Sequence, residues 1–141
     1  MIRKMNANEL DQVMQIWLQS NIDAHNFIPV SYWEGNYDLV KTMFPKADVY
    51  VYIDDDKLIG FIGIMDTYIA GIFVDKKVRS KGVGKQLLDY AKEIHHELTL
   101  HAYRQNERAV AFYEREGFKV INEDMDEKTS QREVEMEWKA K

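Results

Sequence analysis

The stretch Arg-Ser-Lys-Gly-Val-Gly-Lys at residues 79–85 places two glycines among three positive charges, directly before an apolar helical pattern. Two phosphate-binding patterns can be compared with it. A P-loop needs a glycine where Arg79 stands, and a Ser or Thr where Gln86 stands. The dinucleotide-binding pattern also fails, because Leu87 occupies the place of its third glycine. Nucleotide hydrolysis and NAD binding therefore both lose support.

A basic helix start of this kind can still bind an anion. The first N–H groups of a helix have no intrahelical partners and carry the positive end of the helix dipole. Gly82 and Gly84 lack side chains that would block those donors. Three cations surround the same point: Arg79, Lys81 and Lys85. A phosphate or pyrophosphate fits such a site. A solvated helix start without a ligand fits the residues equally well.

The composition is that of a folded domain with an acidic balance. The chain has 141 residues, 45% hydrophobic and 12% aromatic, which favours one domain over residues 1–141. The net charge of −5 argues against a nucleic-acid binder. The absence of cysteine excludes disulfides, thiolate metal ligands and a cysteine nucleophile, and four scattered histidines give little support for a metal site.

The hydrophobic runs are short. The N-terminus lacks the apolar run of a signal peptide. No apolar run is as long as a membrane helix requires, which is about 18 residues. We therefore predict a cytoplasmic protein that binds neither membrane nor nucleic acid and holds no metal.

The glycine loop must be positioned by the elements beside it. Residues 68–74 (YIAGIFV) predict a strand before the loop, residues 82–96 an amphipathic helix after it, and residues 98–102 (LTLHA) the next strand. This unit predicts a right-handed parallel crossover with the loop at the carboxyl end of the sheet, where ligands bind. Gly71 inside the first strand indicates either a bulge or a glycine tolerated in a crowded sheet.

The rest of the chain predicts a mixed α/β fold of about seven strands and about four helices, with a mostly antiparallel sheet. Capping-box patterns predict the starts of the first two helices: Asn6 with Glu9, and Ser31 with Glu34. The second of these helices should stop at Pro45. Apolar or alternating runs predict the other strands, at residues 1–5, 49–53, 58–65, 118–124 and 134–138. The acidic run Asp54-Asp55-Asp56 predicts a hairpin turn between the strands at 49–53 and 58–65.

A second informative stretch follows the parallel unit. Asn106 is a suitable N-cap for a short helix over residues 106–115, and Gly117 fits the stop signal of that helix. The helix contains the pair Phe112-Tyr113. From these residues alone, Tyr113 is either a core aromatic or a reactive hydroxyl.

The two stretches together resemble the GCN5-related N-acetyltransferase (GNAT) superfamily, in particular its small bacterial members. A strand ending in Ile-Phe-Val, followed by Arg-x-x-Gly-x-Gly and a helix, is similar to the superfamily's acyl-CoA signature. The run LHAYRQNERAVAFYEREGF is similar to its later segment, and the order of elements agrees over essentially the whole chain. The resemblance implies a splayed pair of central strands, at 68–74 and 98–102. It also implies direct acetyl transfer from acetyl-CoA to a primary amine, without a covalent enzyme intermediate.

The resemblance further implies a cofactor site. The pyrophosphate of coenzyme A would lie on the loop and helix start: Arg79, Ser80, Lys81, Gly82, Val83, Gly84 and Lys85. The pantetheine arm would follow the backbone of Ile72, Phe73 and Val74. Asn106 would contact the cofactor, and Tyr113 would face its sulfur.

Tyr113 is the predicted general acid for the departing thiolate. A tyrosine has a pKa near 10 and an ordinary thiol about 8.5, so Tyr113 either donates the proton or only positions the sulfur. No general base is identified: Asp66, His25 and His101 are candidates.

The loop AHNFIPVSYW is expected to shape the acceptor site, with His25, Phe27 and Trp33 as predicted substrate-binding residues. The acceptor stays open between a peptide or protein amine, a polyamine, an amino acid and an aminoglycoside, and the protein between a monomer and a homodimer. Two competing interpretations are a non-catalytic acyl-CoA-binding sensor and a structural domain whose basic loop docks an acidic segment.

Overall fold

The computed structural model describes residues 1–141, apart from the side chains of residues 79–81. The described chain forms one seven-stranded sheet in the order β1-β2-β3-β4-β5-β7-β6. The strands are β1 (Ile2–Lys4), β2 (Asp48–Asp54), β3 (Lys57–Met65), β4 (Tyr68–Val74), β5 (Glu97–Tyr103), β6 (Lys119–Asp126) and β7 (Gln131–Lys139). The α-helices are α1 (Leu10–Ala24), α2 (Val30–Met43), α3 (Val83–Ile94) and α4 (Glu107–Arg115). The predicted mixed sheet and its helices are confirmed.

Of the two predicted capping boxes, only the first forms. The backbone N–H of Asn6 donates to Glu9 Oε1 at 2.8 Å, in the 3₁₀ turn that leads into α1. The prediction for Ser31 was wrong, because α2 begins at Val30 with Pro29 as its N-cap. The fixed φ of proline, here −58°, sets the chain for a helix earlier than a serine cap would.

The turn between β2 and β3 follows from the conformational preferences of its residues. Asp55 and Asp56 join β2 to β3 with φ angles of 51° and 62°. Two left-handed residues in succession match the right-handed twist of a two-stranded ribbon, and aspartate tolerates that conformation better than most residues. The acidic run is therefore a hairpin turn, as predicted.

The sheet carries helices on both faces. Alternation along β3 sends Phe61 into the core beneath α1 and α2, and Ile62 into the core beneath α3 and α4. Both cores contain fully buried side chains: Met14 lies in the core beneath α1 and α2, and Leu87 lies in the core beneath α3 and α4. None of the described helices is both long enough and apolar enough to cross a membrane.

A bulge distorts β4 beside its parallel partner. Ile69 and Gly71 pair with the adjacent residues Ile64 and Gly63 of β3, so Ala70 is left without a partner. A side chain at Gly71 would collide with the ring of Phe73. Of the two alternatives that the sequence left open for Gly71, the structure shows the bulge, and it lies where β4 begins to leave β5.

Candidate active site

The two parallel strands separate soon after they meet. β4 and β5 pair only at Tyr68 with Thr99 and at Ile69 with Leu100. Beyond that point a cavity of about 730 Å³ opens between them, which confirms the predicted splayed strand pair. α4 and the start of α3 line the cavity on one side, and the end of α1 and Trp33 of α2 line it on the other.

The cavity brings most of the predicted site residues together. Those that line it are Ile72, Phe73, Val74, Gly82, Gly84, Lys85, Asn106, Tyr113, His25 and Trp33. Val83 is buried in the core beneath the sheet, so only its backbone could contact a ligand. Phe27 packs against the rings of His25 and Tyr103 and does not line the cavity. The side chains of Arg79, Ser80 and Lys81 lie outside the described residues.

The start of α3 has backbone donors that find no partner within the helix. The first helical hydrogen bond runs from the N–H of Gln86 to the carbonyl oxygen of Gly82 at 3.1 Å, so the N–H groups of Val83, Gly84 and Lys85 have no intrahelical partners. Gly82 has a φ of 73°, and a Cβ there would meet nothing within 4 Å. Gly82 is therefore required by backbone conformation rather than by crowding.

Basic side chains cluster near this helix start. Lys85 Nζ lies 3.0 Å from Asp89 and 3.2 Å from Glu116, and hydrogen bonds to these two carboxylates raise the pKa of Lys85. Arg108 and Arg115 of α4 line the same cavity. Lys85, Arg108 and Arg115 thus lie on the side of the cavity formed by α3 and α4, where Glu116 offsets part of their charge.

Tyr113 lies in an aromatic cluster at the cavity wall. Only 8% of its surface is exposed, and its ring centroid lies 5.2 Å from Phe112 and 5.5 Å from Phe118. Burial, with a smaller contribution from nearby Tyr68, raises the pKa of Tyr113 well above its usual value. The hydroxyl is thus neutral at physiological pH and suited to donating a hydrogen bond.

Asn106 joins α4 to the opposite wall of the cavity. Its Oδ1 accepts from the backbone N–H of Ala109 at 3.2 Å, which confirms the predicted N-cap. Its Nδ2 lies 3.2 Å from Nε2 of His25. His25 in turn stacks on Trp33, with ring centroids 5.2 Å apart and planes at 26°. His25, predicted to bind the acceptor, is therefore in direct contact with Asn106, predicted to bind the cofactor.

The sequence indicated His101 as a candidate base, but two polar side chains beside it, Tyr68 and Glu133, were missed. Tyr68 places its hydroxyl 3.1 Å from Nδ1 of His101, and Glu133 of β7 lines the cavity beside His101. Burial raises the pKa of Glu133. Asp66, another base candidate, sits in the turn between β3 and β4 with a φ of 57° and does not line the cavity. Only the register of β4, β5 and β7 assembles this group, and no local motif encodes that register.

Comparison with known proteins places this cavity in context. A sequence model of the acetyltransferase (GNAT) domain matches residues 45–120, more than half of the chain. The chain belongs to the GNAT family. It is therefore an acetyltransferase that acts on an amine, and GNAT acetyltransferases use acetyl-CoA as co-substrate.

Two curated GNAT relatives cover most of the chain. The peptidyl-lysine N-acetyltransferase YiaC of Escherichia coli K12 is 35% identical over 124 residues, which are 86% of this chain and 85% of YiaC. The peptidyl-lysine N-acetyltransferase YjaB of the same strain is 34% identical over 120 residues, which are 84% of this chain and 82% of YjaB.

Solved GNAT structures share the fold along the whole chain. The solution structure of apo YjaB from Escherichia coli superposes with a TM-score of 0.87 at 29% identity, covering 100% of this chain and 98% of YjaB. A spermidine N-acetyltransferase SpeG variant from Vibrio cholerae superposes with a TM-score of 0.71 at 22% identity, covering 99% of this chain and 94% of SpeG, and supports the fold alone. The residues matched by the GNAT model, 45–120, exclude His25, Trp33 and Glu133.

Proposed function

We propose that this GNAT enzyme transfers the acetyl group of acetyl-CoA directly to the side-chain amine of a lysine in a peptide or protein. The observation that supports this most directly is the continuity of one cavity. It runs from the N–H groups at the start of α3, along the separated edge of β4, to the wall formed by His25 and Trp33.

The start of α3 fits a pyrophosphate. Three N–H groups without intrahelical partners, at Val83, Gly84 and Lys85, are donors that such an anion requires. Gly84 keeps the first turn of α3 free of a side chain. The space where its Cβ would stand is open, because no described neighbour lies closer than 3.9 Å to that position. The cations lining this side of the cavity add charge, and the predicted contacts of Arg79, Ser80 and Lys81 belong to the same proposal.

The edge of β4 fits an extended, amide-bearing arm. Because β4 pairs with β5 only as far as Ile69, the backbone of Ile72, Phe73 and Val74 is not hydrogen-bonded to β5. An amide-containing chain can add to such an edge as an extra strand does. A backbone N–H of this segment is also our proposed donor to the oxyanion of the transferred acetyl group.

Tyr113 would hold the departing sulfur. Its raised pKa opposes release of its proton, so we assign it chiefly a hydrogen-bonding and positioning role. Acetyl-CoA supplies the activated thioester in this scheme. The absence of cysteine from the chain is consistent with direct transfer without an acyl-cysteine intermediate.

The acceptor side supports a cationic amine. Glu133 lines the cavity beside the gap between β4 and β5, opposite in charge to the side that carries Lys85. The names of YiaC and YjaB, which state peptidyl-lysine as their acceptor, support the narrower proposal of a lysine. His25 and Trp33 would form the wall against the acceptor, with Phe27 supporting His25 from behind.

The test combines binding with product analysis. Calorimetric titration with acetyl-CoA and with CoA should give binding by the wild type, and a large loss in Gly84→Glu, whose carboxylate would enter the anion site. Gly35→Glu is a matched control, because Gly35 lies in α2 with nothing within 4 Å of its added Cβ.

The acceptor assay uses lysine peptides, a polyamine, free amino acids and an aminoglycoside, with mass spectrometry of the products. Acetyl-lysine in peptides is the expected result. Absence of acetyl-CoA binding by folded wild type would overturn the cofactor assignment, and acetylation of the small amines alone would overturn the lysine assignment. The cytoplasmic location, the lack of a metal or nucleic-acid partner and the oligomeric state stay predictions.

A further inference from the structure

His101 occupies the first position of β5 beyond its pairing with β4. Ile69 and Leu100 form the last pair, and the side chain of His101 lines the cavity that opens next to them. We propose that His101 accepts the proton of the acceptor amine and that Tyr68 is the residue that positions its imidazole. This inference rests on the proposed function, because it assigns a base to the same reaction.

Tyr68 holds the imidazole across the strand gap. Its hydroxyl lies 3.1 Å from Nδ1 of His101, and the two ring centroids are 5.6 Å apart with planes at 50°. Tyr68 belongs to β4 and His101 to β5, so both separating strands fix the ring. The contact engages Nδ1, and no described side chain is hydrogen-bonded to Nε2. With the hydrogen on Nδ1 donated to the Tyr68 oxygen, Nε2 carries the lone pair that can accept a substrate proton.

Negative charge surrounds His101 on the sheet. Glu135 of β7 is its direct partner in register, and Glu133 lines the same cavity. Asp124 of β6 joins them around a second hollow of about 160 Å³, which shares His101 and Glu133 with the main cavity. Among the described side chains, none of these three carboxylates forms an ion pair with a lysine or arginine. A proton delivered to Nε2 of His101 therefore arrives among carboxylates.

The other two base candidates from the sequence, and Tyr113, are poorer proton acceptors than His101. Both ring nitrogens of His25 are engaged, Nδ1 with the carbonyl oxygen of Asn21 at 3.1 Å and Nε2 with Asn106 at 3.2 Å. Asp66 does not line the cavity. Tyr113 holds its own proton, since burial raises its pKa. Of the three base candidates considered from the sequence, His101 alone combines a place in the cavity with an available nitrogen.

The proton balance is simple. The proton leaves the acceptor nitrogen and forms an N–H bond with the lone pair of Nε2. The electron pair of the broken N–H bond stays on the acceptor nitrogen, which attacks the acetyl carbon. The C–S bond of the thioester then breaks, and its electron pair leaves with the sulfur as the thiolate of CoA. Tyr68 keeps its hydrogen bond to Nδ1 throughout, and the imidazolium afterwards returns the proton to water. Because Nε2 can accept a proton only while it carries none, the rate should fall in acid.

The experiment compares His101→Gln, Tyr68→Phe and the control His96→Gln, since His96 lies after α3 and does not line the cavity. The readout is kcat/KM for an acceptor peptide from about pH 5.5 to 9. We expect His101→Gln to lower kcat/KM about 100-fold and to remove the acid limb of the profile. Tyr68→Phe should shift the midpoint of that limb with a smaller loss, and His96→Gln should match the wild type.

Two further measurements separate this proposal from the proposed function. The calorimetric Kd for acetyl-CoA should be unchanged in His101→Gln, and the ¹⁵N resonance of Nδ1 in His101 should move in Tyr68→Phe without any substrate. An unaltered rate, or a reduced rate with the same acid limb, would overturn the base assignment. An unmoved Nδ1 resonance would overturn the role of Tyr68. If the wild type did not bind acetyl-CoA, the proposed function would instead be overturned.

Discussion

Nδ2 of Asn106 lies 3.2 Å from Nε2 of His25, a contact that joins the start of α4 to the end of α1 across the cavity. The direction of every bond in this link is fixed. A carbonyl oxygen only accepts, so Nδ1 of His25 carries the hydrogen that it donates to Asn21 at 3.1 Å. Nε2 is then the acceptor and takes a hydrogen from the amide of Asn106, whose oxygen is already occupied by the N–H of Ala109.

This geometry makes folding stability depend on pH through His25. Burial lowers the pKa of His25, so the unfolded chain binds the proton more readily than the folded one. Stability should therefore be highest above the ordinary histidine pKa of about 6.5, and should fall as the pH drops from there toward the lowered value. Thermal unfolding at a series of pH values checks this. His25→Gln should lose part of the dependence and His96→Gln should retain it; identical curves for all three proteins would contradict the assignment.

Asn106 allows the same link to be tested from its other end. Asn106→Ala removes the N-cap of α4 and should lower the free energy of unfolding by about 1 kcal/mol. Asn106→Asp keeps the capping oxygen but replaces the amide donor with a carboxylate facing Nε2, which favours protonated His25. The Asp variant should therefore lose less stability in acid than the wild type does. Urea denaturation at pH values on either side of about 6.5 measures both effects.

The sequence predicted what local chemistry determines and missed what register determines. The hairpin at Asp55 and Asp56, the cap at Asn106 and the glycine at 117 each follow from the conformational preferences of one or two residues. The contact of Tyr68 with His101 depends on a parallel register set by two strands and an intervening helix, which no short pattern contains. The start of α2 at Val30 was misplaced because Pro29 outweighed the pattern at Ser31.

The candidate active site shows the same difference between its cofactor side and its acceptor side. The residues that would bind the cofactor are contiguous in two stretches and could be recognised from spacing, and most of them line the cavity. The acceptor side is assembled from α1, α2, β5 and β7, so its members are distant in sequence. Of that group, His25 and Trp33 were predicted, while Glu133 carries no local signal.

Gly71 tests the bulge that opens the strand gap. Gly71→Ala would drive a Cβ into the ring of Phe73, and displacing that ring should lower the free energy of unfolding by about 1–3 kcal/mol. Gly63→Ala is the matched control, since Gly63 pairs with Gly71 in register and its added Cβ would come no closer than 3.6 Å to a neighbour. Urea denaturation gives both values. A loss in Gly63→Ala as large as that in Gly71→Ala would contradict the specific collision.

Tyr113→Phe tests the hydroxyl at the cavity wall. The ring keeps its contacts with Phe112 and Phe118, so the Kd for acetyl-CoA should change little. Loss of the hydrogen-bond donor should lower kcat about 10- to 100-fold. Tyr50→Phe is the control, because Tyr50 is also buried but contacts Tyr90 and does not line the cavity. An unchanged kcat in Tyr113→Phe would remove this hydroxyl from the mechanism.

Gly82 and Gly84 should prove to serve different purposes. Gly82 has a φ of 73° and open space where a Cβ would stand, so Gly82→Ala should lower the free energy of unfolding by about 1–2 kcal/mol through backbone strain alone. Asparagine tolerates this conformation better, and Gly82→Asn should recover part of the loss. Gly84 lies within α3, where alanine is favoured over glycine by up to about 1 kcal/mol, so Gly84→Ala should be as stable as the wild type or more so.

The affinities of the Gly82 and Gly84 variants for acetyl-CoA should rank in the opposite order to their stabilities. The Cβ of Gly84→Ala lies within the first turn of α3, which would receive the pyrophosphate, whereas Gly82 precedes that turn as the N-cap. We therefore expect calorimetry to give weaker binding in Gly84→Ala than in a folded Gly82→Asn. Equal affinities for both variants would mean that the anion does not approach the backbone of α3 at Gly84.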